Sequence, residues 1–329
     1  MNLSLSNTMQ APATDLAKEH GKAILILLLG NLFWGLSFPL IRSIEMANAA
    51  WAPAGSWFIL LYTVAPRFVL GLAILLAVQA RGGYRVTRPE LEQGLILAVF
   101  GAGGILLQCD GMRYTSASTS AFLTQFYAVL IPIWLAIRSG RNPGAWVWAS
   151  CAMVLAGVAI LGRLDWRVQH FGRGEIETLA SSLFFMVQIL SLVDVRFSAN
   201  RGSKVTLIMF AAISMIFGLL AVAMAPDARA LVAPWASPAW LGLTLTLAVF
   251  CTVGACLIMN TWQPRISATE AGLLYCTEPI FASLLALVLP ALFSRWAGID
   301  YPNESATSNL IIGGGLITLA NALIQLRKS

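Results

Sequence analysis

Ten times between residues 22 and 326 the chain runs for about twenty residues with almost no charge. At helical rise such a run crosses a hydrocarbon core of ~30 Å. Lipid offers no partner to a bare N–H or C=O, so each run is predicted to be a helix that satisfies its own backbone. The runs lie at about 22–44, 56–79, 91–110, 115–138, 144–162, 174–194, 204–225, 238–259, 267–290 and 307–326. Only 11% of residues are charged and 58% are hydrophobic, whereas soluble domains carry roughly a quarter charged residues. The expected fold class is an all-α polytopic membrane protein with ten transmembrane helices.

The net charge of +6 is not a nucleic-acid signature here, because the basic residues sort by loop. With the N-terminus inside, thirteen Lys and Arg lie in segments on its side, from Lys18 and Lys22 to Arg327 and Lys328. Seven lie in the opposite loops, from Arg42 to Arg295, and Arg67 falls within a span. This bias predicts both termini in the cytoplasm; the expected location is a bacterial inner membrane. Ala47-Asn48-Ala49 resembles a signal-peptidase site. The preceding run is too long for a signal h-region, however, and has a counterpart downstream.

That counterpart belongs to a repeat. A shift of 151 lays the first four runs on the sixth to ninth without gaps. Gly21 meets Gly172, Leu32-Phe33 meets Leu183-Phe184, Gly103 meets Gly254, and Ser116-Ala117 meets Ser267-Ala268. The fifth and tenth runs match after seven further residues, which lengthens the loop at 291–306. Five spans per copy is an odd number, so the copies must face opposite ways: two inverted five-helix repeats, an architecture typical of secondary transporters. The expected division is a tail over 1–21, a first repeat over 22–162, a loop over 163–173 and a second repeat over 174–326.

One span is unusual. Ile266–Pro290 carries Glu278-Pro279 halfway along. A mid-bilayer carboxylate costs several kcal/mol unless it is paired, protonated or wetted, as transmembrane insertion energies indicate. Proline there frees a backbone carbonyl one turn earlier, near Tyr275. The first copy has Ala128 where the second has Pro279, and Pro132, one turn later, is the expected source of its kink.

GNLFWGLSFPLIR near the start, Arg67-Phe68, TSASTSAFLTQF at 115–126 and TEAGLLYCTEPIFASLLALVL at 269–289 resemble the EamA domain of the drug/metabolite transporter superfamily, present here twice. The resemblance implies a ten-helix, two-repeat carrier of small metabolites such as amino acids, often an exporter.

In the 151 register Tyr127 takes the position of Glu278, and Thr124 that of Tyr275. In an inverted repeat these positions flank the pseudo-two-fold axis, where such carriers bind substrate; alternatively, both tyrosines are hydrogen-bonded core. Arg67 lies near the depth of Glu278 and is a candidate ion-pair or proton-coupling partner for it; otherwise it snorkels to an interface. Trp34, Ser37 and Gln188 are candidate contributors to the same cavity. Gln108 and Gln125 serve equally as interhelical glue. Trp51, Trp57 and Trp262 suit the interfacial aromatic belt, and Asp110 and Asp194, at span ends, are expected to be solvated. Gly313-Gly314-Gly315 suggests tight helix packing.

Enzyme signatures are missing. His20 and His170, the only histidines, lie outside the spans, and no Walker-type loop is present. The five cysteines include no CxxC pair, so neither a disulfide framework nor a metal site is expected, and no cofactor is implied. The sequence thus points to a secondary transporter working by alternating access on a small-molecule substrate in a lipid bilayer. Drive comes from protons through Glu278 or from the substrate gradient alone. Lipophilic-cation efflux is the alternative within transport; an intramembrane enzyme lacks a catalytic constellation.

Overall fold

The computed structural model describes residues 13–53, 56–80, 83, 85–115, 117–164 and 172–326. Ser116, Arg81, Arg167, His170, Arg327 and Lys328, which enter the sequence reading, lie outside these. Among the described residues the secondary structure is helical throughout, with no strand. The protein is an integral membrane protein. Seven helices are long and apolar enough to cross a bilayer by themselves, and a bent pair, Ala268–Ala286 with Leu289–Ala297, makes an eighth. Ala145–Leu161 and Ser308–Ile324 are shorter apolar helices.

The elements are α1 (Ala13–Asn48), α2 (Trp57–Gln79), α3 (Arg88–Gly111), α4 (Ala117–Thr124), α5 (Tyr127–Ser139), α6 (Ala145–Leu161), α7 (Arg173–Leu192) and α8 (Gly202–Ala223). Next come the short α9 (Ala228–Val232), then α10 (Pro238–Thr246), which passes through a π-helical stretch, Leu247–Gly254, into α11 (Ala255–Trp262). The chain closes with α12 (Ala268–Tyr275), α13 (Glu278–Ala286), α14 (Leu289–Ala297) and α15 (Ser308–Leu326). Local chemistry sets several starts. Ser56 caps α2, Thr87 and Glu90 close a reciprocal capping box on α3, and Ser267 with Glu270 does so on α12. Helix α1 begins at Ala13, so residues 13–21, expected in the tail, are already helical.

Contacts at the helix ends define two sides of the bundle. On one, Arg201 pairs with Glu90 at 2.7 Å, Gln79 donates to the Ser203 carbonyl at 3.0 Å, and Lys22 lies over the Trp262 ring. On the other, Trp240 donates to Asn48 at 2.8 Å, Arg113 covers the Trp57 ring, and Arg173 reaches Asp110 at 2.5 Å. Helix α1 therefore runs from the first side to the second and α7 from the second to the first. The pairs α2 and α8, and α3 and α10–α11, are likewise opposed.

The most extensive packed pairs are α3 with α7, α6 with α15, α2 with α8, α3 with α8, and α1 with α13, with α11 and with the π-stretch. In the 151 register α6 with α15 and α2 with α8 map onto themselves, and α3 with α8 maps onto α2 with the π-stretch. Likewise α3 on α7 has its counterpart in α11 on α1, α4 on α7 in α12 on α1, and α5 on α7 in α13 on α1. The seven extra residues of the second half fall in 287–307, where α14 bends 59° from α12–α13. Its Val288, Leu292 and Trp296 side is exposed, as suits a helix lying in an apolar interface.

Small residues set the closest approaches. A Cβ on Gly157 would sit 2.7 Å from the Gly313 carbonyl oxygen, and one on Gly313 would sit 2.5 Å from that of Gly157. Gly315 faces open space, so the packing expected of the whole glycine run rests on Gly313. Gly313→Leu should push α15 off α6 and destabilise the fold by roughly 1–3 kcal/mol, the cost of overpacking. Gly315→Leu should leave the melting temperature in detergent unchanged.

Candidate functional site

Two helices break at matched positions. Helix α4 stops at Thr124 and α5 starts at Tyr127; α12 stops at Tyr275 and α13 starts at Glu278, each exactly 151 residues on. Across both breaks the backbone tightens to i→i+3 bonds: Ala128 to Gln125 at 3.0 Å, Cys276 to Leu273 at 3.2 Å and Thr277 to Leu274 at 3.0 Å. Pro279 sits in the first turn of α13, where its missing N–H costs least. The first copy breaks without a proline. Pro132 lies inside α5 and does not supply the kink expected of it; tertiary packing replaces it. A Cβ on Gly272 would meet Ile131 Cδ1 at 2.9 Å and the Ala128 Cα at 3.6 Å, so α12 presses directly on the first turn of α5.

The carbonyls loosened by the second break find side chains from neighbouring helices. Asn31 of α1 donates its Nδ2 to the Leu274 carbonyl at 2.7 Å and to Thr277 Oγ1 at 2.8 Å. Asn321 of α15 donates to the Leu273 carbonyl at 3.1 Å. Both asparagines are buried. Close contact makes this reach possible: a Cβ on Gly35 would lie 2.8 Å from the Ala282 nitrogen, so α1 lies flush on α13.

The predicted site residues divide. Trp34 and Tyr275 meet edge to face, with ring centroids 5.4 Å apart. Tyr127 begins α5, buried, and lies beside the Gly272 face of α12. Its hydroxyl donates to Gln125 Oε1 at 2.7 Å, while Tyr275 donates to Gln263 Oε1 at 2.8 Å. Glu278 is the first residue of α13 and half-buried; Ser37 is buried on α1. Gln188 turns away from this group: its Nε2 donates to the Leu97 carbonyl of α3 at 2.7 Å and fills the space above Gly101. Arg67 and Glu278 are not within ion-pair distance of each other. Gln108 bonds Thr124 at 3.0 Å, joining α3 to α4.

Sequence reading missed several polar residues. Gln263 is fully buried and links Tyr275 to the Ile189 carbonyl at 2.7 Å. Asn31 is a lone amide in an apolar run, and that isolation is the signal that could have found it. His20 and Glu270, 3.0 Å apart, close the first side over α1 and α12, and Arg265 lies on the Trp262 ring beside them. On the second side Asp110, expected to be solvated, is buried and paired with both Arg113 and Arg173. The start of α7 packs over it, Gly111 and Gly174 meeting backbone to backbone. Asp194 is half-exposed, and its hydrogen bonds from Arg196 hold its carboxyl below the usual range. The ionic clusters thus cap opposite sides of the bundle, at ends that the 151 register matches: Lys22 to Arg173, and Arg265 to Tyr114.

Broken helices meeting between two charged caps, in a bundle of apolar spans, define a polytopic membrane protein of transporter type. Residues 21–163 match the model of the EamA-like transporter family. A solved crystal structure of a protein shares the fold with a TM-score of 0.70 at 20% sequence identity, covering 93% of this chain and 97% of the other. No curated protein matches the sequence.

Asn31→Leu should remove two buried hydrogen bonds, to the Leu274 carbonyl and to Thr277 Oγ1, although that carbonyl keeps the Thr277 N–H and hydroxyl as donors. The expected loss is about 1–3 kcal/mol for two buried hydrogen bonds at roughly 0.5–1.5 kcal/mol each, read as a lower melting temperature in detergent. Asn31→Ser, which keeps a donor, should recover part of it.

Proposed function

We propose that this chain is a secondary carrier that moves a small polar or amphipathic metabolite, an amino acid among the candidates, out of the cell by alternating access. In this reading ten spans form two inverted repeats, and both termini face the cytoplasm of a bacterial inner membrane. The observation that carries it is the pair of broken helices, α4–α5 and α12–α13, packed on each other at matched positions. Unwound segments of this kind lie near the midplane of carriers, where they expose backbone and side-chain groups to substrate. The opposed helix directions and the exchange-symmetric packing support the inverted repeat. The seven long helices and the bent pair support eight of these spans, and in this reading the two shorter apolar helices are the remaining two.

The substrate surface in this reading is Trp34, Ser37, Tyr127, Tyr275 and Glu278, with Gln188 acting from behind through α3. The charged caps serve as gates: Asp110–Arg173 on one side and His20–Glu270 on the other. One opens while the other holds. Glu278 has no ion-pair partner among the described residues, which favours a carboxyl that loads and releases protons over a permanent salt bridge.

Counterflow in proteoliposomes tests the reading. A panel of labelled amino acids and related small metabolites should include one that exchanges against its unlabelled form; no exchange of any member, in either orientation of the protein, would count against a carrier. Glu278→Gln should keep exchange but lose accumulation driven by an imposed proton gradient. Wild-type transport indifferent to pH and to a protonophore would eliminate proton coupling.

A further inference from the structure

Arg67 is the ionisable group that the packing leaves without explanation. It lies eleven residues into α2, and its Nε is buried without a hydrogen-bond partner. Its guanidinium makes no hydrogen bond or ion pair among the described residues. Its titratable neighbours are thiols, those of Cys256, Cys109 and Cys251, and no carboxylate. Its closest ring contact is with the adjacent Phe68, 5.2 Å away. An arginine at this depth is costly, and its five donors are normally taken up by carboxylates or backbone carbonyls.

The wall opposite is unusual as well. Gly71 lies one turn beyond Arg67 on the same helix face, and a Cβ there would meet Phe210 at 2.8 Å and Val253 at 3.3 Å. That places Arg67 towards the π-helical stretch Leu247–Gly254, which contains Cys251 and packs on α2. A π-turn inside a long helix is rare and concentrates at functional sites. Here Thr252 returns its hydroxyl to the Leu247 carbonyl at 3.0 Å, so the widened turn satisfies itself and takes none of the guanidinium's donors. Beyond it, Cys256 neighbours both Arg67 and Tyr275, and Tyr275 carries Trp34 on its edge. The position matching Arg67 in the second half is Gly218, with open space in front of it. The charge therefore marks one half only.

We propose that Arg67 is the anion-binding end of the substrate site, and that the substrate class is a carboxylate carrying an apolar or aromatic body. This deepens the carrier reading and rests on it for the word substrate. A carboxylate gives the planar guanidinium two parallel charge-assisted bonds, and Cys256, a neighbour of both Arg67 and Tyr275, connects it to the Trp34–Tyr275 pair at the broken helix. Glu278 is not within ion-pair distance, so it does not compete for the guanidinium.

The test uses the full chain in neutral detergent with phenylacetate and its uncharged isostere phenylacetamide, read by thermal shift. Phenylacetate should stabilise the wild type at millimolar concentration and bind at least about tenfold more tightly than the amide, as loss of one charge-assisted pair implies. Arg67→Gln should erase the difference, and Arg67→Lys should keep part of it. Should Arg67→Gln fail to fold, Cys256→Asp sets a fixed carboxylate beside the guanidinium and should expel phenylacetate while raising the melting temperature. Repeating the titration with added phosphatidylglycerol separates a soluble carboxylate from a lipid headgroup: competition by the lipid would overturn the assignment. So would equal binding of acid and amide, no stabilisation by phenylacetate, or an acid preference that survives in Arg67→Gln. Arg67-dependent binding without counterflow would leave the anion site standing and remove the carrier reading alone.

Discussion

Backbone hydrogen bonding in a medium without water governs this molecule. An unbroken helix meets that demand alone, and most of the apolar spans do so. The two that break must borrow partners, and the way they borrow organises the centre of the bundle. Asn31 reaches from α1 and Asn321 from α15 to the carbonyls before the second break, while tight i→i+3 bonds absorb the rest. Those bonds require α1 to lie against α13, which is possible because position 35 is glycine. A single constraint thus links the interruption at residues 276–277, the small residue at 35 and the amide at 31.

The same arrangement positions the chemistry. Tyr275 ends one half-helix and Glu278 starts the next, so an aromatic hydroxyl and a carboxyl flank the break. Tyr127 occupies the matching start in the other copy, and the two broken helices touch through Gly272. The ionic caps lie a full helix length away on opposite sides. A bundle whose centre is held by amide–carbonyl bonds and whose ends are held by charge pairs can loosen one end without dismantling its middle. The alternating access proposed above would use that property.

Much of this was legible in the sequence. The apolar runs lie on helix, and the 151 register matches the two helix breaks. Three readings changed. The first break does not need Pro132, because the pressure of α12 on α5 sets it. Asp110 is paired rather than solvated, because α7 closes over the end of α3. Gln188 faces α3, because Gly101 leaves room there for its amide. Each change comes from a helix far away in sequence, and periodicity carries no information about such neighbours.

What the sequence determined by itself was the solvent and the segmentation. Runs of about twenty apolar residues must satisfy their own backbone in lipid, and so must be helices. What only the tertiary structure decided was who satisfies whom: Asn31 for Leu274, Gln263 for Tyr275, Arg173 for Asp110, and no carboxylate for Arg67. The physical reason is range. Helix formation in lipid is settled within four residues along the chain, whereas a buried polar side chain is settled by whichever helix packing brings within 3 Å of it.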